Sequence, residues 1–313
     1  MTNAAPTFPG AGAASWVDLV EVGARDGLQN EDALLESAVK VDLIERVASA
    51  GSRRIEVASF VHPTRVPQMA DAESVVSALG PSPAGVSYIG LVLNRRGLDR
   101  AVLTSIDEVN FVVGASKSFN EVNAGTSPDV TMSEIASMIP DAGDRRTTVT
   151  IAVAFGCPFE GEVPVADVVR FAELAANAGA DEIALGDTIG VAVPAQVVEL
   201  ISALSEATAV PLRCHFHDTR NTAVANVVAA HAAGIGTFDA SVGGAGGCPF
   251  APDAAGNVAT EDLLYLFDRM GVETGIDPTQ AIDTARWLAD QLGRELSGAV
   301  TRAGWWPRPI PSP

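Results

Sequence analysis

The chain carries Leu212-Arg213-Cys214-His215-Phe216-His217-Asp218-Thr219, a short strand that runs into a polar turn. Because side chains alternate along a strand, His215 and His217 are predicted to lie on the same face of a sheet. Two imidazoles on one face are adjacent ligands for a metal ion. A pair of satisfied core histidines is the alternative. We favour the metal site because two of the chain's four histidines stand on this strand, where burial is costly unless something binds them.

The strand belongs to a pattern that repeats along the chain. Short apolar runs predict eight strands, over residues 16–22, 54–59, 87–93, 108–114, 148–155, 182–186, 212–216 and 237–242. Helical spacing of apolar residues follows most of them, and predicts helices over 37–50, 165–178, 194–207, 222–233, 260–270 and 279–293. Eight strand-then-helix units in 313 residues predict an α/β fold, a TIM (β/α)8 barrel. A doubly wound open sheet is the runner-up, but it would leave strands over, and no Gly-x-Gly-x-x-Gly turn follows the first strand.

The barrel is predicted to occupy residues 15–271. Residues 1–14 are rich in Ala, Pro and Gly and are predicted to form a flexible N-terminal arm, and residues 272–313 a short C-terminal helical extension with a tail. The adjacent Trp305 and Trp306 are interpreted as structural, covering the barrel surface or a partner subunit.

Composition excludes several classes of function. A net charge of −19 repels phosphate backbones and anionic bilayers, so neither nucleic acid nor a membrane is expected as a partner. Neither a membrane-spanning apolar run nor a secretory signal is evident, which indicates a soluble, cytoplasmic protein. The three cysteines, Cys157, Cys214 and Cys248, are odd in number and widely separated, which favours reduced thiols over disulfides.

Polar residues stand where the predicted strands end, and a barrel would gather these ends at one mouth. They are Arg25, Asp26, Glu56, Ser59, Asn94, Asp187, Thr188, His215 and His217. A carboxylate and two histidines can bind a hard or borderline divalent cation. Asp26 can therefore join the histidine pair, Asn257 can complete the set, and Arg25 would face the oxygen that becomes negative during a reaction.

A glycine-rich run, 243–250, follows the eighth strand and has the composition of a mobile loop. Cys248 lies within it, and a thiol on a closing loop can transfer a proton in a site sealed from water. Cys157 and Cys214 have mostly apolar neighbours in sequence and are predicted to be packing residues.

Five stretches, in chain order, resemble the signatures of 3-hydroxy-3-methylglutaryl-CoA lyases, within the larger group of metal-dependent barrel lyases and acyltransferases. They are EVGARDGLQNE at 21–31, EVASFV at 56–61 with VPQMAD at 66–71, LGDTIG at 185–190, HFHDT at 215–219, and GGCPFA at 246–251 with GNVATED at 256–262. The resemblance runs from about residue 16 to the last barrel helix.

The resemblance implies a retro-Claisen cleavage that depends on Mg²⁺ or Mn²⁺. The substrate would be 3-hydroxy-3-methylglutaryl-CoA or a close 3-hydroxyacyl-CoA, and the products acetyl-CoA and a keto acid. The metal ligands implied are Asp26, His215, His217 and Asn257. Arg25 would steady the enolate oxygen, Glu56 and Asp187 would hold the ligands, and Cys248 would protonate the enolate carbon. The general base stays open between His215 and Asp26, and a homo-oligomer, a dimer or larger, is expected.

Two departures from the family pattern concern the substrate pocket. Arg220-Asn221-Thr222 stands where lyases continue with Tyr-Gly-Gln, and Asn120-Glu121-Val122-Asn123 occupies a stretch that is often basic. We therefore expect a lyase subgroup with an altered acyl chain or carrier.

Two other functions are weighed against the lyase. A synthase that condenses acetyl-CoA with a 2-keto acid would share Arg25-Asp26 and the histidine pair, but such enzymes generally lack the Gly-Gly-Cys-Pro loop and carry further C-terminal regulatory residues. A non-catalytic metal-binding barrel would not need the polar residues retained at every strand end.

Overall fold

The fold is a closed barrel of eight parallel strands, and the computed structural model describes residues 14–247 and 255–307. The strands follow one another around the barrel in chain order, and the eighth pairs with the first. Their bounds are β1 Asp18–Glu21, β2 Arg54–Ser59, β3 Ser87–Val92, β4 Glu108–Gly114, β5 Arg146–Ala152, β6 Glu182–Asp187, β7 Leu212–Phe216 and β8 Thr237–Ala240. The predicted TIM barrel is confirmed, and the doubly wound alternative is wrong.

Helices surround the barrel on the outside. Those of the described chain are α1 Ser37–Ala50, α2 Ala72–Leu79, α3 Arg95–Ala101, α4 Lys117–Ala124, α5 Pro128–Met138, α6 Val165–Asn177, α7 Pro194–Ala207, α8 Ala223–Ala232, α9 Thr260–Met270, α10 Pro278–Leu292 and α11 Ala299–Ala303. Local chemistry sets several of these ends. Gly51 ends α1 in the left-handed region, and the Asp277 side chain accepts the N–H groups of Thr279 and Gln280 at the start of α10.

The strands are buried on both faces because helices cover them outside and side chains fill the barrel inside. Every residue of β2, β4 and β6 is buried. This is the pattern of a parallel sheet rather than the alternation of a half-exposed antiparallel one. The continuous apolar runs in the sequence therefore located the strands well.

Several segments differ from the prediction. The segment after the first strand, where Arg25 and Asp26 were placed at a strand end, contains a π-helical turn, Gly23–Gly27. The fifth strand was expected over 148–155 but ends at Ala152, because Val153 adopts a positive φ of 53° and turns the chain. Helices α2, α3 and α11 were not predicted individually, and neither were α4 and α5. Ser116 and Ser127 cap their first turns, each side chain accepting a backbone N–H.

The amino end of the barrel interior is filled by charge rather than by hydrocarbon. Arg54 donates hydrogen bonds to Glu108 and Glu182, and Glu182 also pairs with Arg146 and Arg213. Burial favours the neutral form of Glu182, but these arginines outweigh it and lower its pKa to about 2. The barrel floor is thus a network of ionised groups, with the cavity at the opposite end.

The C-terminal segment packs on the first units of the barrel. The guanidinium of Arg46 in α1 lies 4.5 Å from the ring centre of Trp287 in α10, and Arg294 donates to Glu31. Trp305 meets the ring of Tyr265 edge to face at 5.4 Å, and the guanidinium of Arg269 lies 4.8 Å from the ring centre of Trp306, so both tail tryptophans contact α9. Of the predicted arm, residues 1–13 lie outside the described residues. Within the described chain, we find no helix with the length and apolarity needed to cross a bilayer.

Candidate active site

The turn after β1 brings Arg25 and Asp26 to the mouth of the barrel. The N–H groups of Arg25 and Gly27 both donate to the Val22 carbonyl at 3.1 Å, which closes the π-helical turn. The N–H of Gly23 donates to the Glu21 carboxylate at 2.8 Å, and a Cβ on Gly23 would lie 2.6 Å from that oxygen. Glycine is therefore required at position 23, because the chain must approach a buried carboxylate closely before it turns.

The four predicted metal ligands lie together. Nitrogen and oxygen atoms of Asp26, His215 and His217 fall within 4.8 Å of one another, and the two imidazole rings are 5.0 Å apart between centres. Backbone pairing with the end of β7 brings Asn257 beside His217. The amide of Asn257 donates from Nδ2 to Oδ2 of Asp26 at 2.7 Å.

This donor set fits a divalent cation. One carboxylate with two imidazoles is a ligand set used for borderline divalent metals, and it leaves positions for substrate oxygens. Oδ2 of Asp26 lies 3.5 Å from Nε2 of His217. A carboxylate oxygen and an imidazole nitrogen therefore face the same point, where both could bind one cation. Asn257 supports Asp26 as a hydrogen-bond donor in this orientation, and a rotation of its amide would offer the carbonyl oxygen instead.

Arg25 is fixed between two carboxylates. Its Nε and Nη2 lie 2.6 and 2.5 Å from Oε2 of Glu56, and Nη1 donates to Asp26 at 2.5 Å. Glu56 is held in turn, because Asn110 donates to its other oxygen at 2.8 Å and Thr150 donates to Asn110 at 2.7 Å. The guanidinium is therefore held rigidly beside the ligand cluster.

The charges of the cluster stabilise one another. Burial works to raise the pKa of Asp26, but Arg25 and the two histidines outweigh it and hold that pKa well below its usual range. Burial works to lower the pKa of His215, but Asp239 and Asp26 outweigh it and raise that pKa. Asp26 is therefore ionised at neutral pH, as a metal ligand must be.

The other predicted site residues fall in different places. Both carboxylate oxygens of Asp187 accept backbone N–H groups, from Val191 and Ala192, while its backbone carbonyl accepts the N–H of His217 at 3.4 Å. Asp187 thus shapes the loop after β6 and reaches the ligands through the main chain. Cys248 lies outside the described residues. Cys157 and Cys214 are buried, as predicted for packing cysteines.

A cavity of about 390 Å³ opens above the cluster. Arg25, Asp26 and both site histidines line one side, with Asn110 and Thr150 nearby, and Leu91, Val112 and Phe119 line another part. Val122 and Asn123 of α4 line it too, so one departure from the family pattern lies in the cavity wall. The other departure from the family pattern, at Arg220, stabilises the loop after β6, because Arg220 donates to the carbonyls of Ile189 and Gly190 at 2.8 and 3.0 Å.

Several residues around the site were not identified from the sequence, including Asn110, Thr150 and two charged residues of β7 and β8. Asp239 in β8 lies beside His215, and Arg213 lies beside Asp239. The sequence did offer one signal for them, because Arg213 and Asp239 are charged residues within short, otherwise mostly apolar strands. Their pairing depends on the register between β7 and β8, which places His215 opposite Asp239 and is not visible in one sequence.

Comparison with known proteins gives a consistent result. The profile of the HMGL-like family matches residues 16–288. The chain is 43% identical over 300 residues to the (R)-citramalyl-CoA lyase of Chloroflexus aurantiacus, covering 92% of this chain and 95% of the relative. It is 38% identical to a hydroxymethylglutaryl-CoA lyase of Bacillus subtilis, covering 90% of this chain and 94% of the relative.

Solved structures agree with this result. An HMG-CoA lyase from Acinetobacter baumannii, in complex with coenzyme A and 3-methylmalate, superimposes with a TM-score of 0.91 at 36% identity, covering 96% of this chain and 98% of that one. The carboxyl transferase domain of Rhizobium etli pyruvate carboxylase, at 19% identity and a TM-score of 0.65, covers 90% of this chain and 49% of that one and shares the fold alone.

Proposed function

Because the chain belongs to the HMGL-like family and is a carbon–carbon lyase, we propose that it cleaves a 3-hydroxyacyl-CoA to acetyl-CoA and a keto acid. The observation that carries the proposal is a fixed arginine beside a buried cluster of one carboxylate and two imidazoles, under a cavity. 3-Hydroxy-3-methylglutaryl-CoA and (R)-citramalyl-CoA are the two candidate substrates, since relatives of similar identity are named for each.

Each site residue would have a separate role in a retro-Claisen cleavage. A base removes the proton of the 3-hydroxyl group, the bond between C2 and C3 breaks, and a carbonyl forms at C3 of the departing keto acid. The electron pair of that bond passes to the acetyl-CoA enolate, whose oxygen would lie near the guanidinium of Arg25. His215 and Asp26 are the two candidates for the base. The thiol of Cys248 would then protonate C2 and complete acetyl-CoA.

The residues that would hold a divalent cation, Mg²⁺ or Mn²⁺, are Asp26, His215, His217 and Asn257. When bound, the cation would supply positive charge that acidifies the substrate hydroxyl group. Glu56 would keep Arg25 oriented, and Asp187 would hold the backbone of His217. Each of these roles uses a contact made by side chains or main chain near the cluster.

The two other functions weighed from the sequence are less well supported. Relatives that cover about nine tenths of this chain are named as lyases, which does not favour the acetyl-CoA-dependent synthase. The non-catalytic barrel is wrong, because the family is one of enzymes.

The test is a substrate comparison with purified protein. We would incubate it with each of the two acyl-CoA esters, with Mg²⁺, with Mn²⁺ and with a chelator. Acetyl-CoA, acetoacetate and pyruvate would be measured by mass spectrometry. We expect equal amounts of acetyl-CoA and one keto acid, and loss of both products with chelator. Failure to release acetyl-CoA from either ester, by protein that binds the cation, would contradict the proposal.

A further inference from the structure

Asp239 connects the site to the charged interior of the barrel. It is buried in β8, and the strand register sets it directly opposite His215 in β7. Its Oδ2 lies 3.1 Å from Nδ1 of His215, and its Oδ1 lies 3.2 Å from Nε of Arg213. The carboxylate therefore bridges an imidazole and a guanidinium that stand two residues apart on one strand.

Arg213 is itself fixed from the other side. Only 1% of its surface is exposed, and its Nη1 lies 3.4 Å from Oε2 of Glu182. Glu182 is held by Arg54 and Arg146, each at 2.8 Å. The network contains three arginines, Arg54, Arg146 and Arg213, and three carboxylates, Glu108, Glu182 and Asp239. The positive charge of Arg213, whose Nε lies 3.2 Å from Oδ1, favours one orientation of the Asp239 carboxylate.

We infer that Asp239, oriented by Arg213, is a positioning residue that fixes His215 in the tautomer with the proton on Nδ1. A carboxylate can only accept a hydrogen bond, so the imidazole nitrogen facing it must carry the proton. Nε2 is then left with its lone pair, as the nitrogen available to the cluster of Asp26 and His217. This inference rests on the proposed function, since the Nε2 lone pair serves His215 either as a cation ligand or as a base.

The asparagine variant distinguishes this role from a general contribution to packing. In Asp239→Asn, the amide oxygen is the negative end of the side-chain dipole, and Arg213 presents positive charge to one side of the amide. The oxygen is expected to face Arg213, so the NH₂ group would face His215 and favour the tautomer with the proton on Nε2. The lone pair would then point away from Asp26. Metal affinity is expected to fall about 10- to 100-fold, as for other residues that orient a ligating histidine.

Removing Arg213 as well should reverse part of the defect. In the double variant Asp239→Asn with Arg213→Met, nothing forces the amide oxygen away from His215, so the amide can turn and accept from Nδ1. We expect Mn²⁺ affinity to recover at least severalfold relative to Asp239→Asn. A packing role predicts the opposite result, since the second substitution would add to the first. Glu108→Gln is the matched control, because it removes a carboxylate of the same network that does not contact the histidines.

Two measurements on the full chain separate this inference from the proposed function. Nitrogen-15 spectra of the four histidines, followed upward in pH until the His215 ring is neutral, report the tautomer without any cation or turnover. Titration calorimetry with Mn²⁺ reports affinity. We expect the Nδ1–H tautomer for His215 in the wild type and in Glu108→Gln, and a switch in Asp239→Asn.

An Nε2–H tautomer in the wild type would overturn the inference, even if no variant folded. So would an unchanged tautomer in a folded Asp239→Asn, or a double variant that binds Mn²⁺ more weakly than Asp239→Asn. Should the wild type bind no Mn²⁺, the proposed cation site fails, and the tautomer spectra alone decide the role of Asp239.

Discussion

Arg25 is held in place by a glutamate from the neighbouring strand, and this contact can be tested without removing the arginine. In Glu56→Gln, one amide must satisfy the donors of Arg25 and of Asn110, although its nitrogen is itself a donor. The guanidinium is therefore expected to lose its position. We predict a fall in kcat of about 100-fold, similar to the loss of one transition-state donor, with a smaller change in KM.

Steady-state kinetics over a range of acyl-CoA concentrations would separate kcat from KM. The matched control is Glu73→Gln, which breaks a comparable arginine–glutamate contact, with Arg100, between α2 and α3. We expect this control to keep its activity. Equal activity in the Glu56 and Glu73 variants would show that the orientation of Arg25 does not matter for catalysis.

Cys248 is the residue whose role rests on the sequence pattern alone. A general acid contributes about 100-fold or more to a proton transfer, so Cys248→Ser should lose at least that much turnover. Because the serine removes no proposed ligand, Mn²⁺ affinity measured by calorimetry should stay as in the wild type. Cys157→Ser is the control, since this buried thiol lies beside Ser116. Wild-type turnover in Cys248→Ser would exclude the thiol as the proton donor.

Collecting the polar residues at the ends of predicted strands identified most of the site residues. The site residues that this approach missed depend on contacts between neighbouring strands. Arg25, Asp26, His215 and His217 lie at or just after the ends of strands recognisable from their apolar runs, so a barrel brings them together. Asp239 and Arg213 interact only because β7 and β8 pair in one register. A single sequence predicts the order of strands but not which residues face each other, so this part of the site is seen only in the folded protein.

At the level of elements, two buried glutamates anchor the segment that follows β8. One oxygen of Glu21 accepts the N–H of Val242, and the other interacts with the Thr260 hydroxyl at 2.7 Å. Glu261 repeats the arrangement, with the N–H of Gly243 and the Thr301 hydroxyl. A hydroxyl can reverse from donor to acceptor, so a protonated glutamate satisfies all these contacts as well as an ionised one.

This arrangement predicts a pH dependence of stability. Burial raises the pKa of Glu21 and of Glu261 to about 7, against an ordinary value near 4.5. The folded protein therefore holds these two protons more tightly than the unfolded chain. Their stabilising contribution is complete below pH 4.5 and is lost as the pH rises through 7. Between about pH 5.5 and pH 8, we expect each glutamate to lower the free energy of unfolding by on the order of 2 kcal/mol.

Glutamine mimics the protonated acid, and so provides the test. In Glu21→Gln and Glu261→Gln, urea unfolding at a series of pH values should show a shallower fall in stability, and the double variant should show the least. Glu73→Gln is the control, because a hydrogen bond with Arg100 lowers the pKa of Glu73 and moves its titration below this window. An unchanged slope in the double variant would mean that both glutamates stay ionised in the folded state.

The bounds of helices and strands were predictable where burial was uniform, and less predictable where a turn of the backbone ends the element. Helices α1, α7 and α9 were predicted with their observed bounds, because apolar spacing and their flanking residues agree. The end of β5 was placed three residues too late, because Ala154 and Phe155 are buried like strand residues although the chain has already turned at Val153. Apolar residues indicate which positions are buried, whereas the end of a strand depends on the backbone conformation. Apolar content alone therefore does not locate that end.

For the whole molecule, the proposed cation ligands span the point where the barrel closes. Asp26 follows β1, His215 and His217 belong to β7 and the residues after it, and Asn257 follows β8. Strand β8 pairs with both β1 and β7. A cation that joins these segments would therefore cross-link the first and last units of the fold, as well as preparing the site for chemistry.

Cation binding should accordingly stabilise the entire barrel. A ligand that binds only the folded state at 100 times its Kd adds about 2.7 kcal/mol, which corresponds to a rise in Tm of roughly 5 °C for a chain of this size. We expect Mn²⁺ to raise the Tm of the wild type by this amount in calorimetry, and a chelator to reverse it. His217→Ala should lose the shift because it removes a proposed ligand. His62→Ala should keep it, since His62 is an exposed histidine on the loop after β2. An equal rise in both variants would indicate that Mn²⁺ binds elsewhere, and the proposed link across the barrel closure would then be wrong.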